Sequence, residues 1–461
     1  MRHVFDPSVL REYDIRGTVG RTLGTADATA IGRSFATRLR RAGGRRVVVG
    51  YDGRTSSPAL EAALVAGLTA SGVDVVRIGM GPSPMLYHAE ATLEVDGGIQ
   101  ITGSHNPADD NGFKMIIGHA SFFGADIHDL ARLAAAGDWE EGSGDVTQAD
   151  VMDLYVGRLM AGYGGGAYRI GWDAGNGASG PVIETLVQML PGDHHLLFTE
   201  VDGRFPNHHP DPTQEPNLAD LKRLVIEKSL DFGFAFDGDG DRIGAVDGSG
   251  RVVWGDQLLA ILAEPVLREL PGATIIGDVK SSQGLFDRVR DLGGVPLMWK
   301  TGHSLMKTKM QETGAPLGGE ISGHMFFGHE YYGFDDAHYA AVRLIRAIHL
   351  SGQSLAALHD ALPAWINTPE IQIRVGSQDK FAVMAGILDR LAASDAVVDR
   401  TDGARVTTED GWWLLRASNT QDVLTARAEA RDAAGLARLL DAVDAHLVAV
   451  GLEPARRPAH G

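Results

Sequence analysis

Three times within the first 280 residues a short β-branched run ends in an aspartate followed by small residues. The runs are Arg46-Val-Val-Val-Gly-Tyr-Asp52-Gly, Tyr168-Arg-Ile-Gly-Trp-Asp173-Ala-Gly and Thr274-Ile-Ile-Gly-Asp278-Val. The aspartates stand 121 and 105 positions apart, a spacing of roughly one small domain. Between them, β-branched runs alternate with Ala/Leu-rich helical stretches, the signature of βαβ units. A chain of 461 residues is also too long for a single core. The expectation is three similar α/β domains.

The last hundred residues read differently. Strands are expected at Glu370–Val375, Arg405–Thr407, Trp412–Leu415 and Val423–Ala426, with helices over Asp379–Leu391 and Ala434–Val450. That order predicts a smaller α+β domain with a mainly antiparallel sheet. Asn367-Thr-Pro369 reads as its linker, because proline and the residue before it resist helix. The expected domains are 1–148, 149–250, 251–366 and 367–461.

Composition removes several function classes. Hydrophobic residues make up 44% and charged residues 22%, normal for a soluble globular chain. No apolar run reaches the roughly 18 residues of a membrane span, and Met1–Pro7 lacks the apolar stretch of a secretory leader. With no cysteine, disulfides, thiolate metal sites and cysteine nucleophiles are excluded, and a reducing cytoplasm is the expected home. A formal net charge of −18 argues against nucleic-acid binding. An anionic substrate would have to be met by a few concentrated basic groups and a metal.

Four segments carry candidate chemistry. Thr102-Gly-Ser104-His-Asn-Pro107 follows the apolar strand Gly98–Ile101. On this reading Gly103 supplies unusual dihedrals, Asn-Pro initiates a turn, and Ser104 is exposed as a nucleophile or phosphate carrier must be. An ordinary loop serine fits the same residues. Ser104 and His105 are neighbours in sequence, so their side chains need not meet and no hydrolase triad follows. The second segment ends the strand Phe232–Phe236 with Asp237-Gly-Asp239-Gly-Asp241-Arg242. Glycines at alternate positions let three carboxylates wrap one hard cation, and Mg²⁺ is the expected metal. An EF-hand is excluded, because Arg242 stands where its sixth-position glycine belongs and Gly248 where its glutamate belongs.

The third segment is Gly318-Gly-Glu320-Ile-Ser322-Gly-His324. Read as extended chain, it projects Glu320, Ser322 and His324 from one face, suited to vicinal hydroxyls. The fourth is Arg416-Ala-Ser418-Asn419-Thr420, with Arg427 across the same hairpin, suited to gripping a phosphate. Gly175-Asn-Gly177-Ala-Ser-Gly180 matches the dinucleotide fingerprint on paper and precedes a helix expected over Val182–Leu190, but a lone match is weak. His208-His-Pro-Asp211 reads as a hydrogen-bonded hinge, and His194-His195 as surface.

Taken in order, these segments resemble the α-D-phosphohexomutase superfamily, and most closely its bacterial phosphomannomutase/phosphoglucomutase branch. The resemblance runs from Phe5 through Arg11–Gly17, Thr102–Pro107, Asn111-Gly-Phe-Lys114, Asp237–Arg242, Lys300–Ser304, Gly319–His324 and Arg416–Thr420. It implies three α/β domains and a smaller fourth around a central cleft. It further implies that Ser104 is a phosphoserine, and that Asp237, Asp239 and Asp241 bind one Mg²⁺ with an oxygen of that phosphoserine. Tyr13, Arg16, Lys114, Arg242, His303 and His324 would line the reaction centre, with Lys114, His303 and His324 the candidates for acid and base. Glu320 and Ser322 would hold sugar hydroxyls. Arg416, Ser418, Asn419, Thr420 and Arg427 would clamp the idle phosphate.

The implied reaction interconverts hexose 1-phosphate and 6-phosphate, of mannose and/or glucose, through a 1,6-bisphosphate that also serves as activator. A small sugar phosphate is the expected partner, with no nucleic acid and no membrane, and the chain is expected as monomer or dimer. Where the family usually continues Glu-Pro, this chain has Gln421-Asp422, which leaves the shape of that loop open. Ser418-Asn419-Thr420 is similar to the mannose/glucose group, whereas the phosphoglucosamine branch usually shows Ser-Gly-Thr. A glucosamine mutase, a regulatory sugar-phosphate-binding protein on a retired scaffold, and a dinucleotide-dependent oxidoreductase are the competing readings.

Overall fold

In the computed structural model of the chain, which describes residues 2–376, 378–418 and 423–455, each recurring strand is an interior strand of its own sheet, with a parallel neighbour on either side. In the first sheet, Arg46–Tyr51 lies between parallel strands Asp74–Met80 and Gly97–Ile101. In the second, Tyr168–Asp173 lies between Gly192–Leu197 and Phe232–Phe236. In the third, Thr274–Asp278 lies between Val295–Trp299 and Leu317–Gly319. Val47, Val48 and Val49, and likewise Phe232, Phe234 and Phe236, are buried. Both faces of the sheets are covered, so these strands read as unbroken apolar runs.

Each sheet then repeats one further step. The parallel strand on one side of the recurring one turns back into an antiparallel partner: Gly97–Ile101 into Asp110–Ile117, Phe232–Phe236 into Ile243–Asp247, and Leu317–Gly319 into Met325–Phe327. The three hairpin turns are the serine loop, the acidic loop and the Glu320–His324 loop. Sequence repetition in the interior strand therefore marks a topological repetition that places one chemically loaded turn per domain.

The extended reading of Gly318–His324 is corrected here. The strand stops at Gly319, and Gly323 N donates to Glu320 O at 2.9 Å to close a turn. Gly323 has φ +91°, and a Cβ there would lie 2.4 Å from Ile243 O. The turn is needed because it docks on the strand leaving the acidic loop, with Ile243 N donating to Gly323 O at 3.1 Å. Asn367-Thr-Pro369 is likewise not a free linker. Ile366–Asn367 pairs with Glu429 and Ala430, and Thr368 N donates to Ala428 O at 2.9 Å.

That pairing belongs to the C-terminal sheet, whose strands are all antiparallel to their neighbours, with helices Lys380–Ala392 and Ala433–Ala449 contributing to its core. Arg405 ties this domain to the third: its guanidinium lies 3.7 Å from the Trp412 ring centroid and donates to Val279 O and Ser281 O. The second and third domains share one continuous core with part of the first. Among the described residues, no helix is long and apolar enough to cross a membrane.

The dinucleotide-like glycines have a packing role. A Cβ on Gly180 would lie 1.9 Å from Thr199 O, and one on Gly177 2.8 Å from Gly238 O. Ala178 N donates to that same Gly238 oxygen, so this turn braces the acidic loop. The helix after it runs Gly180–Val187, earlier than expected, with Pro181 in its first turn and Pro191 beyond its end. His194 and His195 are both half-buried, and His194 accepts a hydrogen bond from Trp172 Nε1 at 3.1 Å while His195 lies 3.1 Å from Asp193.

The hinge histidine has a pH signature. His208 Nε2 lies 3.0 Å from Asp173 Oδ2 and Nδ1 lies 3.0 Å from His209 O. Both partners are acceptors, so the imidazolium satisfies them best. Burial lowers the His208 pKa, but the Asp173 contact outweighs it and the net shift is upward. A pKa raised on folding stabilises fully below the unfolded value and is lost as pH rises through the folded one. The stability difference between wild type and His208→Gln is therefore larger at pH 6 than at pH 9 in thermal melts. Equal differences at both would remove the charged pair from the account.

Candidate active site

The three loaded turns meet on one another. Ser104, expected to be exposed, is almost fully buried between the first and second domains. It donates to Asp237 Oδ2 at 2.9 Å, and its Oγ lies 3.1 Å from His105 Nδ1, so the two neighbours do meet. The unusual dihedral falls on Ser104 itself, at φ +49°, and not on Gly103. Gly103 is required for space, since a Cβ there would lie 2.3 Å from Arg54 Nε. A left-handed serine costs about 1–2 kcal/mol. The Arg54 guanidinium donates to four carbonyls of this loop. Hydrogen bonds to charged groups contribute about 1.5–3 kcal/mol each, so the loop's strain is more than offset.

The interior-strand aspartates are the anchors of these loops. Asp52 Oδ2 accepts from Thr102 Oγ1 at 2.9 Å and Gly103 N at 3.0 Å. Asp278 accepts from Ser281 Oγ at 2.6 Å, Thr301 Oγ1 at 3.0 Å and Ile321 N at 3.3 Å. Asp173 accepts from Gly175 N and contacts His208. All three are buried, where a carboxylate persists only with such donors.

Asp237, Asp239 and Asp241 are completely buried, and each offers an oxygen within 4.8 Å of the others. Burial and then the charges of Asp241 and Asp239 push the Asp237 carboxyl well above the usual range. Burial acts the same way on Asp239, but Lys114, Ser83 and Arg16 outweigh it and hold that carboxyl low. Lys114 Nζ donates to Asp239 Oδ2 at 2.7 Å and also to Asp241 Oδ2. One ammonium does not neutralise three carboxylates, and among the described residues buried Asp239 Oδ1 and Asp241 Oδ1 have no hydrogen-bond partner. An all-oxygen set with orphaned oxygens fits a hard divalent cation such as Mg²⁺.

Around this centre the cations are fixed by their partners. Arg16 donates to Asn106 Oδ1 at 2.8 Å and to Asp14 Oδ2 at 2.6 Å. Tyr13 Oη donates to Thr301 O at 2.8 Å, joining the first domain to the third. Arg242 Nε donates to His324 Nε2 at 3.0 Å. His324 Nδ1 lies 3.0 Å from Asp335 Oδ2, and Lys307 Nζ lies 3.1 Å from the other Asp335 oxygen. His303 sits 5.7 Å from His324 between ring centroids, and burial, then Lys307, holds it well below the usual histidine pKa. Glu320 accepts from Gly302 N and Ser322 Oγ, and its burial raises its pKa.

A cleft of about 670 Å³ opens on these groups and reaches the fourth domain at Arg416, Ser418 and Arg427. Arg416 Nε donates to Asp402 Oδ2 at 3.0 Å, and Arg427 lies 3.9 Å from Asp256. Asn419, Thr420 and the departure at Gln421-Asp422 lie outside the described residues. Sequence reasoning missed Lys280, which lines the cleft and lies 3.1 Å from Glu370 of the fourth domain. Its position two residues after the recurring Asp278 was a usable signal. Asp335, Lys307 and Asp402 carried no pattern that would have found them. A second cavity of about 680 Å³, lined by Tyr87, Tyr331, Tyr332 and Phe334, is mainly apolar and holds none of the serine, acidic or phosphate-clamp groups.

A buried hydroxyl on an acidic triad, whose chain neighbours His105 and Arg242 line a cleft of anchored cations, is an arrangement that can move a phosphoryl group between oxygens. Family models confirm the class along most of the chain. Phosphoglucomutase/phosphomannomutase α/β/α domains I, II and III match residues 8–138, 163–250 and 254–365, and the family's C-terminal domain matches 370–446. A phosphomannomutase/phosphoglucomutase of Pseudomonas putida is 42% identical over 96% of each chain. A phosphoglucomutase of Neisseria gonorrhoeae is 39% identical over 94% of this chain and 95% of its own. A crystal structure of a phosphoglucomutase/phosphomannomutase family protein from Burkholderia thailandensis superposes with TM-score 0.92 at 43% identity, covering 98% of this chain and 100% of that one. The chain belongs to the phosphoglucomutase/phosphomannomutase family. It is accordingly a hexose phosphate mutase, an enzyme of the isomerase class.

Proposed function

We propose that the chain interconverts the 1-phosphate and 6-phosphate of mannose and/or glucose by way of a phosphoserine at Ser104 and a hexose 1,6-bisphosphate. The observation that carries this reading is Ser104 Oγ, 2.9 Å from Asp237 inside the acidic triad. Phosphoserine carries about −1.5 to −2 charges. One Mg²⁺ held by Asp237, Asp239 and Asp241 would supply the charge that lets a hydroxyl oxygen approach that phosphorus.

The 6-hydroxyl oxygen of a hexose 1-phosphate attacks the phosphorus as the bond to Ser104 Oγ breaks. The hydroxyl proton passes to a base, and Ser104 Oγ recovers one. Lys114, His303 and His324 stand as the acid and base candidates. Burial, then the Lys307 charge, holds the His303 pKa well below the usual histidine value, which makes its imidazolium a readier proton donor than an ordinary histidine's. The bisphosphate then turns end for end and returns its 1-phosphate to Ser104. Free bisphosphate acts as activator by recharging a serine whose intermediate has escaped.

Arg416, Ser418 and Arg427, with Asn419 and Thr420, grip the idle phosphate, and Glu320 and Ser322 take sugar hydroxyls. Lys280 and Arg416 are paired with Glu370 and Asp402, so a phosphate binds there by exchange with these carboxylates. We infer a small sugar phosphate as partner, with no nucleic acid and no membrane, action in a reducing cytoplasm, and a monomer or dimer.

Initial rates on mannose 1-phosphate, glucose 1-phosphate and glucosamine 1-phosphate, with Mg²⁺ and trace bisphosphate, test the reading. Conversion of the first two is expected. Turnover of glucosamine 1-phosphate alone would move the chain to the amino-sugar branch, and no turnover at all would favour a binding protein.

A further inference from the structure

We infer that Arg54 is a positioning residue for phosphoryl transfer. Its guanidinium holds the Ser104 loop in the single conformation that aims Oγ at the acidic triad. The inference rests on Ser104 as the phosphoryl carrier.

Arg54 is almost fully buried and belongs to none of the four segments that carry the candidate chemistry. One terminal nitrogen donates to Ser104 O at 2.8 Å and Asn106 O at 2.7 Å, and the other to Asp110 O at 2.9 Å and to Pro107 O. Its Nε lies 3.2 Å from Asp52 Oδ2, the oxygen that also accepts from Thr102 Oγ1 and Gly103 N. The Arg54–Asp52 pair therefore grips the loop from both sides: the carboxylate takes its donors and the guanidinium its acceptors. From the second domain, Phe205 covers the guanidinium at 5.2 Å from its ring centroid.

The chemistry asks for such a clamp. Ser104 alternates between a hydroxyl and a group of nearly two negative charges, and its Oγ must stay aimed at the same cation site in both states. A loop with four inward carbonyls would turn away from that anion if left free, because carbonyl oxygens repel it. A planar guanidinium occupies all four at once, whereas a lysine ammonium has three donors on a single nitrogen. Among the described residues Arg54 bonds to the Ser104 loop and Asp52 and to none of those proposed to hold the sugar or the idle phosphate, so its loss should act on the transfer step and not on substrate binding.

Arg54→Met and Arg54→Lys test this by steady-state kinetics, by intact mass after incubation with glucose 1,6-bisphosphate, and by single-turnover transfer from the phosphoenzyme. Misplacing a reacting group by about 1 Å costs about 10²-fold. A kcat loss of about that size in Arg54→Met is expected, with KM within about threefold and slowed single-turnover transfer. Arg54→Lys keeps charge and length, and should still lose at least about tenfold in kcat. It also serves as the reporter if the methionine variant does not fold. Wild-type kcat in a folded variant, or a loss confined to KM, would overturn the inference. Absence of phosphoryl uptake by the wild-type protein would instead sink the Ser104 reading itself, so the two failures are told apart.

Discussion

Replacing Ser104 by alanine is expected to lower sustained kcat by about 10⁴-fold or more, since it removes the oxygen proposed to carry the phosphoryl group between half-reactions. The protein should remain folded. The substitution deletes one hydroxyl that donates to Asp237, and a buried acceptor deprived of its donor costs about 1–3 kcal/mol. The loop itself is held by Asp52 and Arg54, whose contacts are to its backbone and Thr102. Bisphosphate binding should persist, because the proposed phosphate clamp at Arg416, Ser418 and Arg427 lies in another domain. Intact mass should show phosphoryl uptake in wild type and none in Ser104→Ala. Wild-type turnover in the alanine variant would end the phosphoserine mechanism.

Removing divalent metal is the second large effect. Chelation should lower kcat by about 10³-fold or more, with recovery on adding Mg²⁺. Melting temperature supplies a readout separate from catalysis, because a cation that binds only the folded state stabilises it by about 2.7 kcal/mol at a hundred times its Kd. Asp239→Asn sharpens the test. Against its burial, Lys114 and Ser83 hold the Asp239 carboxyl low, so a neutral amide there gives up a buried ion pair and destabilises the metal-free protein. Its metal-free melting point should therefore fall below wild type, while the Mg²⁺-induced rise and the activity both disappear. A metal-induced rise that survives Asp239→Asn would place the cation elsewhere.

Much of the site was legible along the chain because its parts are local. The acidic loop declares its chemistry through three carboxylates spaced by glycines, and the serine loop through its strand-then-turn context. The interior-strand repeat was legible too, since a strand covered on both faces must be apolar along its length. What could not be read was how these pieces are held. Gly103 suggested a dihedral need that in fact falls on Ser104, and only the position of Arg54 Nε reveals why glycine is there. Glu320, Ser322 and His324 looked like one face of an extended chain. The turn that replaces it exists because Gly323 must pass within contact of Ile243 O. Asp335 has no motif at all, and gains meaning only when His324 and Lys307 arrive on either side of it.

The sequence by itself determined the repeating α/β architecture, the antiparallel C-terminal sheet and the candidate residues for phosphate and metal. These follow from periodicity and side-chain chemistry, which are local properties. The tertiary structure alone decided that Ser104 is buried, that Arg54 and Asp52 grip its loop, and that Lys280 faces the cleft beside Glu370. Those outcomes depend on which backbone carbonyls and carboxylates of distant segments come within about 3 Å of one another. Hydrogen bonding at that range is set by the packing of domains, and no one-dimensional pattern encodes it.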